Sequence, residues 1–182
     1  MILSEATVPL GLFDCAALTE KVLSLDEPTW LRDSRRQRDF DVHAQTQSII
    51  LLLCEGWPDV NVDRGSGWDL LAAETMPVVD QIIARHYPQG GTVLRAMMAR
   101  LPAGCRIARH KDHHPSFSVA HRIHVPLVTN PGVEFVVGSE QVPPRAHFAF
   151  EINNLLMHQV INNGDDSRIH LIFDYAPPRD AE

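Results

Sequence analysis

The spacing of apolar positions changes once along the chain. In the first half it is helical. Ala17, Leu18, Val22 and Leu25 fall on one helical face behind Asp14, which predicts a short capped helix ending near Leu25. The charged stretch 30–41, WLRDSRRQRDFD, reads as a loop or short helix, and Val42 to Leu53 is rich enough in β-branched and aliphatic residues to predict a strand. Trp57 to Gly67 reads as a Pro/Gly/Asp loop. Trp68 to Tyr87 is helical, with Leu70, Leu71, Val78, Val79, Ile82 and Ile83 apolar. Pro77 is expected to divide or kink that helix, and Pro88 to Gly91 to end it.

From Thr92 onward the pattern becomes short runs separated by turn residues. Strands are predicted at about 92–100, 105–110, 121–128, 133–137, 146–152, 157–162 and 168–175. The turns are Pro102–Gly104, Asn130–Gly132, Gly138–Ser139, Pro143–Pro144 and Asn162–Asp165. Short strands at near-regular spacing predict a mainly β fold, a jelly-roll barrel supported by N-terminal helices. The expected organisation is a single domain over 1–182. Within it, 1–91 is an N-terminal helical region with one or two strands, and 92–177 a jelly-roll core carrying the metal site.

Composition narrows the partners. A chain of 182 residues that is 45% hydrophobic can bury a real core. A net charge of −7 argues against nucleic acid and anionic membrane surfaces as partners. The longest fully apolar run, Ile49 to Cys54, is far short of the roughly 20 residues a membrane span needs. The start, MILSEATVPLGLF, lacks a basic region and is broken by Pro9 and Gly11, so no signal peptide is expected. Cys15, Cys54 and Cys105 are odd in number and widely spaced. They read as buried free thiols, and the expected location is cytoplasmic.

Most of the ten histidines fall between His110 and His170. In an extended segment, residues i and i+2 face the same way, so His110 and Asp112 can share a point. His158, 48 residues later, lies near the end of another predicted strand. Two histidines and a carboxylate form the facial set of non-haem Fe(II) oxygenases. The neighbours His113 and His114 are alternative ligands, and the same donors also suit zinc. Arg168, ten residues after His158, follows a tight NNGDDS turn that returns it towards His158. Its strand alternates Arg168, His170, Ile172 and Asp174 against Ile169, Leu171, Phe173 and Tyr175. An arginine facing a barrel interior needs an anion. A dicarboxylate cosubstrate is one candidate; a structural ion pair with Asp174, Glu134 or Asp166 is the other. Arg122 and His124 repeat the Arg-x-His pattern on another strand.

These residues resemble the aspartyl/asparaginyl β-hydroxylase family of 2-oxoglutarate-dependent oxygenases. The likeness lies in PAGCRIARHKD, HRIHVPLVTN and EINNLLMHQVINNGDDSRIHLIFDYAP, which cover most of residues 101 to 177. It implies a double-stranded β-helix, the cupin-like jelly roll. It also implies that His110 and His158 bind Fe(II), that Arg168 binds the distal carboxylate of the 2-oxoglutarate cosubstrate, and that Arg122 and His124 lie in the cosubstrate pocket. O2 is the remaining co-reactant. The best-known members carry glycine where this chain has Asp112, so Asp112 completes the triad here and points to hydroxylation rather than halogenation. The expected product chemistry is hydroxylation of an aspartyl, asparaginyl or similar side chain, with release of succinate and CO2. The substrate is a small-molecule amino acid or a peptide, entering past loops 113–120 and 139–146 and the segment from Trp30 to Phe40. Arg35, Arg36, Arg38 and Arg145 are candidate receivers of a substrate carboxylate. Asn153, Asn154 and Asn162 are nearby polar positions that read first as turn residues. Hydroxylation of a free amino acid such as proline is the alternative within this chemistry. A cupin-type dioxygenase or isomerase without cosubstrate and a non-catalytic metal- or ligand-binding barrel are the readings outside it.

Overall fold

The strand Arg168–Ala176 is buried over almost its whole length, with apolar side chains on one face and polar ones on the other, and the architecture follows from what covers each face. In the computed structural model, residues 3–33 and 41–178 are described. The elements are β1 (Thr7–Leu12), α1 (Ala16–Leu23), α2 (Glu27–Leu31), β2 (Gln47–Glu55), β3 (Asn61–Arg64), α3 (Trp68–His86), β4 (Thr92–Leu101), β5 (Arg106–His110), β6 (His121–Val128), β7 (Val133–Val137), β8 (Glu140–Val142), β9 (Phe148–Ile152), β10 (His158–Asn162) and β11 (Arg168–Ala176). One-turn 3-10 helices lie at Asp41–His43 and Pro115–Ser118.

Two antiparallel sheets form. The larger runs β1-β9-β6-β11-β4-β2-β3 and the smaller β5-β10-β7-β8. On the outer face of the large sheet, Ile123, Val125, Leu127, Leu171, Phe173 and Tyr175 pack with Leu18 and Val22 of α1 and Val79 and Ile82 of α3. Between the sheets, Leu101, Phe150 and Ile152 meet Phe135, Val137 and Val160. The period-two alternation of β6 and β11 therefore feeds a dry layer under the helices on one side and a polar cavity on the other. This is a mainly β jelly roll with few helices. None of the described helices is long and apolar enough to cross a membrane.

Several boundaries differ from the sequence reading. Pro77 neither divides nor stops α3, which runs unbroken from Trp68 to His86. Pro77 itself is exposed, while Thr75, Val78, Val79, Ile82 and Ile83 are buried, and that packing outweighs one lost backbone bond. β2 starts at Gln47 rather than Val42. A turn precedes it, in which the amide and hydroxyl of Thr46 both donate to the carbonyl of His43. β1, β3 and β8 lie where no strand was predicted. β1 carries Pro9 and a bulge at Gly11 on the sheet edge, and β3 and β8 are too short to show a period. Three strands from before residue 92 thus extend the large sheet, and β2 pairs directly with β4.

Candidate metal centre and cosubstrate pocket

β10 pairs with β5 so that His158 sits directly opposite His110. Their rings are 4.3 Å apart, and the chain leaving β5 carries Asp112 beside them. The Nε2 atom of His110 lies 3.7 Å from Oδ1 of Asp112, and that of His158 lies 3.8 Å from Oδ2. One ligand atom from each of the three residues falls within 4.8 Å of the others. Each imidazole is oriented from behind. The Nδ1–H of His110 donates to the carbonyl of Ala108 at 2.8 Å, and that of His158 to the carbonyl of Leu156 at 3.0 Å. In that tautomer both Nε2 lone pairs face the cluster. Burial holds the pKa of His158 below the ordinary imidazole value despite the nearby Asp112, which favours the neutral, ligating form. Two neutral imidazoles and one carboxylate on a concave wall fit an open-sided metal centre. The alternative ligands are elsewhere: His113 is exposed, and His114 is turned onto the Ser116 hydroxyl at 2.8 Å.

The same cavity is lined by Arg168, Arg122 and His124. Arg168 is 1% exposed, with Nη2 donating 2.7 Å to Nδ1 of His170 and its guanidinium over the Phe135 ring. Burial, then the adjacent Arg168 and His124, push the pKa of His170 well down, so it stays a neutral acceptor. His124 stacks on Phe150 and approaches His170 at 3.4 Å. Asp174 is not the anion for Arg168. It lies six residues along the strand, about 20 Å away, and its carboxylate takes Arg122 at 2.7 and 2.8 Å and Arg95 at 3.4 Å. Glu134 accepts from Asn163 instead. Arg122 has a further bond, from Nη1 to Oδ2 of Asp112 at 2.5 Å. Burial alone would favour its neutral form, but Asp112 and Asp174 more than offset that and raise its pKa.

Several lining residues escaped the sequence reading, the polar His43 and Thr46 among them. The His43 ring stands edge-on to His110 at 5.4 Å. His43 and Thr46 both fall in the stretch from Val42 to Leu53 that the sequence predicts as a strand, where nothing marks them as pocket residues. Among the asparagines, Asn162 pins the turn through Leu101 and Asp166 carbonyls, and Asn153 forms a local turn with Leu155. The carbonyl of Asn154 accepts from the amide of Asp112. Arg145 is exposed and rests over Phe148, away from this cavity's lining. Arg35, Arg36 and Arg38 lie outside the described residues.

Known proteins share the fold and part of the sequence. The aspartyl/asparaginyl beta-hydroxylase family matches residues 33–178. No curated protein matches the sequence. Among solved structures, the nickel complex of the non-heme monooxygenase ThoJ superposes with a TM-score of 0.58 at 16% identity, covering 97% of this chain and 75% of that one. The viral collagen prolyl hydroxylase of Paramecium bursaria Chlorella virus-1, a 2OG complex, gives 0.55 at 10% identity over 97% and 98%. HygX from Streptomyces hygroscopicus, with nickel, 2-oxoglutarate and hygromycin B bound, gives 0.52 at 13% identity over 95% and 82%.

Proposed function

The chain belongs to the aspartyl/asparaginyl beta-hydroxylase family and is a 2-oxoglutarate-dependent hydroxylase; from that premise we propose that His110, Asp112 and His158 hold its Fe(II). Arg168 anchors the distal carboxylate of 2-oxoglutarate, with Arg122 and His124 in the wall of the same pocket. The observation that carries this reading is the convergence of a His-Asp-His cluster and a buried arginine on one cavity. Fe(II) with 2-oxoglutarate and O2 supplies an oxidant for an unactivated C–H bond, and the products are the alcohol, succinate and CO2.

The protein's own residues do the rest. The Nδ1 bonds of His110 and His158 fix the ligand rings before metal arrives. Arg168 gives the cosubstrate one orientation through a planar fork that matches a carboxylate. His170, held neutral, keeps that fork aimed without adding a competing charge. Phe135, Val160 and Ile172 exclude water around it. The substrate is an aspartyl, asparaginyl or similar amino-acid side chain, free or within a peptide, and it approaches past the 113–120 loop. The location is cytoplasmic.

The test is anaerobic titration with Fe(II) and then 2-oxoglutarate, following the weak visible charge-transfer band of the chelate. The band is expected in the wild type and lost in His158→Ala. Its absence from properly iron-loaded wild type would overturn this assignment of the centre. Succinate release is then screened against free amino acids, proline among them, and against aspartyl and asparaginyl peptides.

A further inference from the structure

Sheet register does something on the far wall of the cavity that the metal ligands alone do not. Asp174 on β11 lies opposite Arg95 on β4 and opposite Arg122 on β6, so one row crosses three strands as cation, anion, cation. Asp174 is 0% exposed and Arg122 is buried. The fork of Arg122 closes on Asp174 through Nε and Nη2, at 2.7 and 2.8 Å. A guanidinium is planar, so fixing that edge fixes where Nη1 points. It points at Asp112, donating to Oδ2 at 2.5 Å. Each nitrogen of Arg122 therefore already donates to a carboxylate.

Asp112 has a reason to need this. It lies beyond the last residue of β5, and its amide donates over 3.3 Å to the carbonyl of Asn154. Strand pairing orients the two histidines but stops short of this carboxylate. The row is also covered. The ring of Phe117 lies 4.4 Å from the Arg122 guanidinium carbon and 5.2 Å from that of Arg95, and Ser116 accepts from Arg95 at 3.0 Å. Charges paired away from water hold each other more firmly than at a surface.

We propose that Arg122, locked by Asp174 and roofed by Phe117, is a positioning residue for the Asp112 carboxylate and thereby sets the affinity of the centre for its metal. This rests on Asp112 being a ligand. It gives Arg122 a task beyond its place in the wall of the cosubstrate pocket, where Arg168 takes the distal carboxylate.

The experiment is a Co(II) titration of the intact protein without cosubstrate, followed by visible d–d absorption, on wild type, Arg122→Lys, Asp174→Asn and Phe117→Leu. Circular dichroism checks folding of each. Outer partners of metal ligands are commonly worth about 10- to 100-fold in affinity, and a loss in that range is expected for Arg122→Lys and Asp174→Asn. Phe117→Leu leaves every charge in place and is expected to lose severalfold, so it carries the test if a charge variant fails to fold. In Phe117→Leu, whose ring is not part of the cavity lining, the KM for 2-oxoglutarate should move by less than about threefold. Wild-type Co(II) affinity in the folded variants would overturn the proposal. So would a large rise in that KM at unchanged Co(II) affinity, because it would put Arg122 on the cosubstrate. If the wild type itself bound no Co(II), the metal centre and this inference would fall together, which separates the two failures.

Discussion

At the scale of single residues, Arg168 is the most consequential side chain after the ligands. It is buried beside a neutral histidine, and its fork, not merely its charge, is what a carboxylate would use. Arg168→Lys keeps the charge but loses the paired geometry. Its expected cost is about 2 kcal/mol, roughly thirtyfold in the Kd for 2-oxoglutarate, read by calorimetry on nickel-loaded protein. His170 makes a pH prediction. Its pKa is depressed in the folded protein, while in the unfolded chain it protonates near the ordinary value of about 6.5. Below that pH the unfolded state binds more protons, so stability falls as pH drops, by at most about 1.4 kcal/mol per pH unit per such group. His158 shifts in the same direction and adds to the effect. The urea midpoint should be lower at pH 5.5 than at pH 7.5, and His170→Gln should flatten part of that slope. An unchanged slope would show that His170 does not stay neutral. The shared face of Arg168 and His170 was legible in the sequence, because i, i+2 spacing survives folding. The sequence did not carry the partners of Arg122, because Asp174 is 52 positions away and reaches it only through register.

Elements show the same divide. β11 is readable in the sequence because its two faces have different work: Arg168, His170 and Asp174 look to the cavity side, and Leu171, Phe173 and Tyr175 to the layer under α1 and α3. Substitutions on the two faces should separate cleanly. Leu171→Ala, at a fully buried site, is expected to cost about 3 kcal/mol of stability, seen as a lower Tm, with the cosubstrate titration of the folded protein unchanged. Arg168→Lys should do the reverse. A matching loss of cosubstrate affinity in both would mean that the faces are not independent. The strands that escaped notice are those whose only signal is pairing. β1 contains Pro9 and Gly11, residues that normally argue against a strand, and is held by β9 nonetheless. α3 is the mirror case, where packing along one face overrides the local preference of Pro77.

For the whole molecule, the late strands other than the three-residue β8 could be placed from turn spacing, but the way early strands join them could not. β1 closes one edge of the large sheet by covering β9. Deleting residues 1–13 should expose that edge and promote association, detectable as concentration-dependent light scattering; a monodisperse product would show that the edge protects itself. The order of the large sheet has one more consequence. β11, made after the other described strands, is inserted between β6 and β4 near the middle of that sheet. During synthesis the first ten strands therefore wait with a central gap rather than a frayed end. High sequence separation between partners makes such closure slow. Until β11 is made, the charged row of Arg95, Asp174 and Arg122 stays unpaired and the inner layer open.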